Sequence, residues 1–270
     1  MTWLCLPLAA LINIAAAYST ETTEQVSFEV ITNLPSRSSD EIIVYGEDDT
    51  QFIEFWHPQN TDSQAPTIVL AHGGCWLNAF AVDHVRAAAT HLADAGFAVW
   101  AVEYRRLGDD KGGWPHSMQD MVSGLDLLHE LAPPQVDLDR TAVAGHSAGG
   151  HLALLAVEQS RLQPRLTIGL AAITDIHQYA AGTGSCNNAA AQFITSASNA
   201  GQDDLNVSAY SALTRVLFYA KTDNIVDPEQ AQLGQTKTIA VDNAGHFDFV
   251  HPDTPAWQAW VDYLTTALSK

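Results

Sequence analysis

At 270 residues, with 47% of them apolar, the chain is long enough for one α/β domain with a filled core. Twelve Lys and Arg stand against thirty-one Asp and Glu, a formal charge of −19. Such a surface repels phosphate backbones and anionic headgroups, which argues against nucleic acid and acidic membrane as partners.

The first 17 residues read as an export signal. Residues 4–17 are nearly all apolar and too short to span a bilayer, and Ala15-Ala16-Ala17 offers a small-residue cleavage site before Tyr18. The basic residue that usually opens such a segment is missing, since the first Lys or Arg is Arg37. A buried N-terminal helix is the alternative for the same run. The export reading gives a periplasmic or secreted protein whose mature part, 18–270, is a single domain.

Residues 27–31, 41–45 and 51–56 are short β-rich runs split by Pro35 and Gly46. They predict opening strands, antiparallel at one sheet edge. Residues 67–71 form a continuous apolar strand that ends in His72-Gly73-Gly74-Cys75-Trp76. Helical spacing over 82–95 stops at Gly96, and 98–102 is a second buried strand. A helix follows over 117–131, with Asp120 in its first turn. Residues 141–144 run as a strand into Gly145-His146-Ser147-Ala148-Gly149, and 151–157 continue as an apolar helix. Residues 166–173, 215–220 and 237–241 are further strands. Between the first two, 175–211 is rich in Ala, Ser, Asn and Gly, with two weak helical pieces. An amphipathic helix over 257–268 closes the chain.

Near-continuous apolar strands alternating with helices imply a mainly parallel central sheet covered on both faces. Chemistry in such sheets gathers at the strand carboxyl ends. Four of these ends carry polar or glycine-rich residues: His72-Gly73-Gly74, His146-Ser147, Asp223 and His246. Strand, G-x-S-x-G and helix in that order describe a nucleophile elbow, a tight turn that strains and exposes its serine.

These residues resemble the α/β-hydrolase family, in its esterase and arylformamidase-like branch. The resemblance rests on the HGG-x-W loop at 72–76, the G-x-S-A-G-G elbow at 145–150, Glu103-Tyr104-Arg105, Gly112-Gly113-Trp114-Pro115 and Asn243-Ala244-Gly245-His246-Phe247-Asp248. It covers most of the chain from about Thr67 onward. It implies an α/β-hydrolase fold with a small cap at about 175–211, and a hydrolase that needs no cofactor. Ser147 is the expected nucleophile and His246 the base, whose near-neutral pKa suits it to take and return a proton. Asp223, in a D-x-x-V turn, is the expected acid; Asp227 competes, or simply caps the helix begun by Pro228. The oxyanion donors are the backbone N–H groups of Ala148, Gly74 and Cys75. Trp76, Trp114 and Phe247 are candidates for the pocket wall, with ordinary core packing as the alternative for each. The implied substrate is a small or medium carboxylic ester, with an arylformamidase-type amide as a variant. A catalytically inactive binding domain on the same fold is the alternative from another class.

The remaining residues carry blander expectations. With Cys5 inside the export segment, Cys75 and Cys186 are expected as two independent buried thiols, without metal-ligand spacing; the alternative, since the fold implied by the resemblance sets the cap above the 72–76 loop and export means an oxidising compartment, is a bridge between them. His72 is expected to hold the oxyanion loop, while His146 and His151 brace the elbow. His84, His91, His116 and His129 are expected as surface or satisfied side chains on helices. Glu103 is expected to pair with Arg105 or Arg106 behind the site. His57, His177 and His251 show no ligand spacing, so no metal site is expected.

Overall fold

The computed structural model of the chain describes residues 25–59, 63–184, 186–202 and 205–269. The expected export segment lies outside them. Eight strands form one sheet: β1 Glu41–Val44, β2 Phe52–Trp56, β3 Ala65–Ala71, β4 Ala98–Val102, β5 Val136–His146, β6 Leu166–Leu170, β7 Arg215–Ala220 and β8 Lys237–Val241. Their order is β1-β2-β4-β3-β5-β6-β7-β8. β1 pairs with β2, and β2 with β4, antiparallel at one edge; every other pairing is parallel. This is the α/β-hydrolase fold.

Side chains alternate across each strand, so β3 feeds two cores. Val69 and Ala71 face one layer, with Met121 and Leu125 of α3 (His116–Leu131) and Leu152 of α4 (Ala148–Ala156). Ile68 and Leu70 face the other, with Leu92 of α2 (Arg86–Asp94) and Trp260 and Leu264 of the C-terminal helix Pro255–Leu268. Leu92 and Leu264 are fully buried, each contributing about 1.5–3 kcal/mol relative to exposure.

The run 27–31 departs from expectation. Phe28–Thr32 is a short helix, α1, because the Ser27 hydroxyl accepts a hydrogen bond from Val30 N at 3.3 Å and so caps a first turn that contains Glu29. It is not a strand: it packs against the turn Val82–Val85, α2 and the turn His246–Val250, with Ile31 buried in that core. Asp120 also shifts in meaning. α3 starts at His116, which places Asp120 beyond the first turn, buried and clamped by Arg105 Nη2 at 2.7 Å. The 175–211 segment holds α5 (Ile176–Ala181) and α6 (Asn187–Asn199), followed by β7. Phe193 and Ala197 of α6 belong to the same core as α3 and α4, so the segment is packed down.

Candidate active site

β5 delivers Ser147 at its carboxyl end, where the chain reverses into α4. Ser147 has φ 55° and ψ −122°, a conformation that costs on the order of 1–3 kcal/mol and persists only where its surroundings impose it. Three backbone hydrogen bonds do so: Ser147 N to Leu170 O at 2.9 Å, His151 N to Ser147 O at 3.1 Å and Ile173 N to Ser147 O at 3.4 Å. The flanking glycines are a matter of space. A Cβ on Gly149 would lie 2.1 Å from His72 O, and one on Gly145 would lie 2.4 Å from Gly149 O. Strand, elbow and helix therefore meet backbone to backbone.

The two other polar strand ends come together. His246 Nδ1 lies 2.7 Å from Asp223 Oδ2, with both side chains buried. Asp223 Oδ1 accepts from Ile225 N at 2.8 Å and Val226 N at 2.9 Å. Burial alone would raise the Asp223 pKa, but His246 and these two amides outweigh it and hold the carboxyl below its usual range. Asp227 accepts from Glu229 N at 2.8 Å and caps the 3₁₀ turn Pro228–Ala231. A carboxylate accepts only, so His246 donates from Nδ1 and leaves Nε2 free to take a proton. Among the described residues no hydrogen bond joins the Ser147 hydroxyl to His246, a contact that is often long before substrate binds.

The loop after β3 turns through positive φ at Gly74 (109°), Cys75 (56°) and Trp76 (57°). Among the described residues neither Gly74 nor Cys75 donates its N–H to a protein acceptor. Ala148, first residue of α4, carries one of the helix N-terminal donors that no intrahelical carbonyl satisfies. His72 holds the loop as expected: Nδ1 lies 2.8 Å from Gly73 O, and Nε2 lies 2.9 Å from Glu103 Oε1. Glu103 also accepts from Val82 N at 2.8 Å and pairs with Arg106 at 2.9 Å, leaving Arg105 to Asp120.

Cys75 and Cys186 are not independent thiols. They form a disulfide, with Cα atoms 5.4 Å apart across 111 residues of sequence. Expecting separate thiols assumed that a tight loop and a mobile cap would not be tied together. The 175–211 segment is packed down, which brings Cys186 to the loop. Trp114 N donates to Ser196 Oγ at 3.0 Å, and His151 Nε2 reaches Leu205 O at 2.8 Å, so the tie has company.

The pocket candidates divide. Trp76 is fully buried, stacked on Phe193 at 5.3 Å, and Trp114 is 8% exposed with its indole N–H on Gln202. Both are core side chains here. Phe247 is half-buried, edge-on to His246 at 5.0 Å. A cavity of about 420 Å³ opens beside Asp223, lined by Tyr179 and Thr183 of the 175–211 segment and by Asn224 of the loop after β7, and not by Ser147. His84 is not a surface side chain: it is 2% exposed, its Nε2 meets His146, and among the described residues its Nδ1 has no hydrogen-bond partner. No local pattern around 84 signals this, because the ring it meets belongs to residue 146.

The BD-FAE family model matches residues 53–238. Esterase LipC of Mycobacterium tuberculosis (strain ATCC 25618 / H37Rv) is 28% identical over 122 residues, 42% of this chain and 28% of that protein. The probable carboxylic ester hydrolase LipM of the same organism is 29% identical over 129 residues, 45% of this chain and 30% of that protein. The chain thus matches less than a third of the length of either curated relative. The crystal structure of esterase B from Lactobacillus rhamnosis superposes with a TM-score of 0.71 at 19% identity, covering 87% of this chain and 88% of that one. That likeness concerns the fold. The family match spans more than half of the chain, with the elbow, the 72–76 loop and Asp223 all inside it, and the protein belongs to the BD-FAE family.

Proposed function

We propose that the protein is a serine hydrolase that cleaves small or medium carboxylic esters through an acyl-enzyme. The observation that carries this reading is the Asp223–His246 pair at 2.7 Å, at strand ends beside a serine held at φ 55°. In the proposed cycle Ser147 Oγ attacks the ester carbonyl carbon and its proton passes to His246 Nε2. Asp223 holds the ring in the Nδ1–H form and stabilises the imidazolium. Backbone N–H groups of Ala148, Gly74 and Cys75 receive the oxyanion, and the alcohol departs with the proton from His246. Water, deprotonated by His246, then attacks the acyl-enzyme, releases the acid and restores Ser147. The relatives named as esterases support an ester as the substrate.

The proposal extends to export. Its support is the apolar run 4–17 with Ala15–Ala17, together with a disulfide of the kind that persists in oxidising compartments. Two measurements test the reading. A panel of p-nitrophenyl esters of rising acyl length, with N-formylkynurenine beside it, should show ester turnover that Ser147→Ala abolishes. Turnover of the formyl amide alone would move the substrate to the amide class, and activity surviving in Ser147→Ala would refute the mechanism. Protein from its native host should begin near Tyr18; an N-terminus at Met1 or Thr2 refutes export.

A further inference from the structure

A chain of imidazoles runs from behind the oxyanion loop to the catalytic-base loop. His84 Nε2 lies 2.9 Å from His146 Nδ1, and His146 Nε2 lies 2.9 Å from the backbone carbonyl of His246. All three side chains are at most 3% exposed. The direction of the chain follows from its last link. A carbonyl only accepts, so His146 carries its proton on Nε2. A neutral imidazole has one proton, so His146 Nδ1 accepts, and His84 must donate from Nε2. That leaves His84 Nδ1 bare, matching its lack of a hydrogen-bond partner among the described residues. Burial, and then the neighbouring His246, push the His146 pKa down to about 3, while burial holds His84 well below its ordinary value, so both rings stay neutral.

Both ends of the chain are anchored. His84 belongs to the 3₁₀ turn Val82–Val85, whose first N–H is held by Glu103, the carboxylate that also holds His72 of the oxyanion loop. At the other end, His146 is the residue before Ser147. Its side chain thus ties the serine's own strand to the backbone of the residue whose Nδ1 meets Asp223. Phe28 of α1 closes the assembly from outside, with its ring 5.5 Å from His84 and 5.8 Å from Phe247.

We propose that His146, backed by His84, is a positioning residue that fixes the base loop relative to Ser147 through the His246 carbonyl. The proposal rests on the reading of Ser147 and His246 as nucleophile and base. Neither ring touches the reacting atoms in this scheme; each acts by holding His246 where its Nε2 can reach the serine.

The test compares His146→Leu, which removes the donor, with His146→Gln, whose amide nitrogen stands about where the imidazole Nε2 stood. Both are assayed with p-nitrophenyl acetate after thermal unfolding shows them folded. His146→Leu should lower kcat by ~10–10²-fold with KM little changed, the scale of a misplaced catalytic group. His146→Gln should recover most of that loss. A folded His146→Leu with wild-type kcat overturns the proposal. So does a His146→Gln as slow as His146→Leu, which would assign the loss to packing. Should His146→Leu not fold, His84→Leu against His84→Gln decides on the same criteria. If wild-type protein turns over no ester, the hydrolase reading itself fails, and the positioning claim is then judged by imidazole ¹⁵N spectra. His84 and His146 should be neutral and Nε2-protonated, and loss of either donor should shift the His246 ring signals. Unmoved His246 signals overturn the claim.

Discussion

Breaking the Cys75–Cys186 bond through Cys186 perturbs the 175–211 segment and leaves the proposed triad of Ser147, His246 and Asp223 unchanged. The bond spans 111 residues. In the chain-entropy account, a cross-link over a loop that long removes about 5 kcal/mol of unfolded-state entropy, and native bonds typically contribute about 2–5 kcal/mol. At about 2 °C or more per kcal/mol for a domain of this size, Cys186→Ala should lower Tm by roughly 4–10 °C. Cys186 is the side to change, because Cys75 sits at positive φ in the oxyanion loop and should stay as it is. Turnover at temperatures below the new midpoint should persist, since the donor proposed at Cys75 is its backbone N–H. Calorimetry of wild type, wild type with reductant and Cys186→Ala provides the assay, alongside intact mass. Reduction should add two protons to the wild type. Two alkylatable thiols in unreduced, denatured protein, or an unchanged Tm in Cys186→Ala, would refute the reasoning.

Asp223→Asn should lower kcat on the order of 10⁴-fold by disturbing the His246 tautomer, while Asp227→Asn leaves kcat near normal; steady-state kinetics of the two would reverse the assignment if the pattern inverts. Acid should destabilise the fold well before carboxylates protonate in bulk. His146 and His151 titrate at about 3 and about 4 when folded and near 6.5 when unfolded, so only the unfolded chain gains their protons as pH falls from about 6.5 toward 3. His151 alone should cost about 3 kcal/mol by pH 4. Asp223 and Glu103, held low in the fold, lose their contribution in the same direction further down. Urea midpoints at pH 7.5, 5.5 and 4.5 that stay flat would contradict this. Gly149→Ala should destabilise by about 1–3 kcal/mol or more, because the added Cβ meets backbone at 2.1 Å from His72 O, and thermal unfolding measures it.

The buried strands were legible because each is a continuous apolar run, and 67–71, 98–102, 215–220 and 237–241 fall within a residue or two of the structure's strands. The elbow was legible because strand, G-x-S-x-G and helix occur in an order that geometry demands. Asp223 and Asp227 were separable in the sequence only by motif; in the fold, one meets His246 and the other caps a turn. Residues 27–31 misled because Phe28, Val30 and Ile31 all favour strands, and a serine cap on a five-residue helix is a weak signal against that. Long-range pairs were legible only through the fold. Cys75 and Cys186 could be named as an alternative pair because the resemblance implies a cap above the loop, not from anything near either residue, and His84 gains its meaning only from a ring 62 residues on.

In the proposed mechanism Ser147 is a nucleophile activated by His246. The direct measurement is exposure of the folded protein to a fluorophosphonate, followed by intact-mass and peptide analysis. One adduct per chain is expected, on Ser147, with ester hydrolysis lost in proportion and no labelling of Ser147→Ala. A folded wild-type protein that stays unmodified, or an adduct on another residue with hydrolysis abolished, would contradict it.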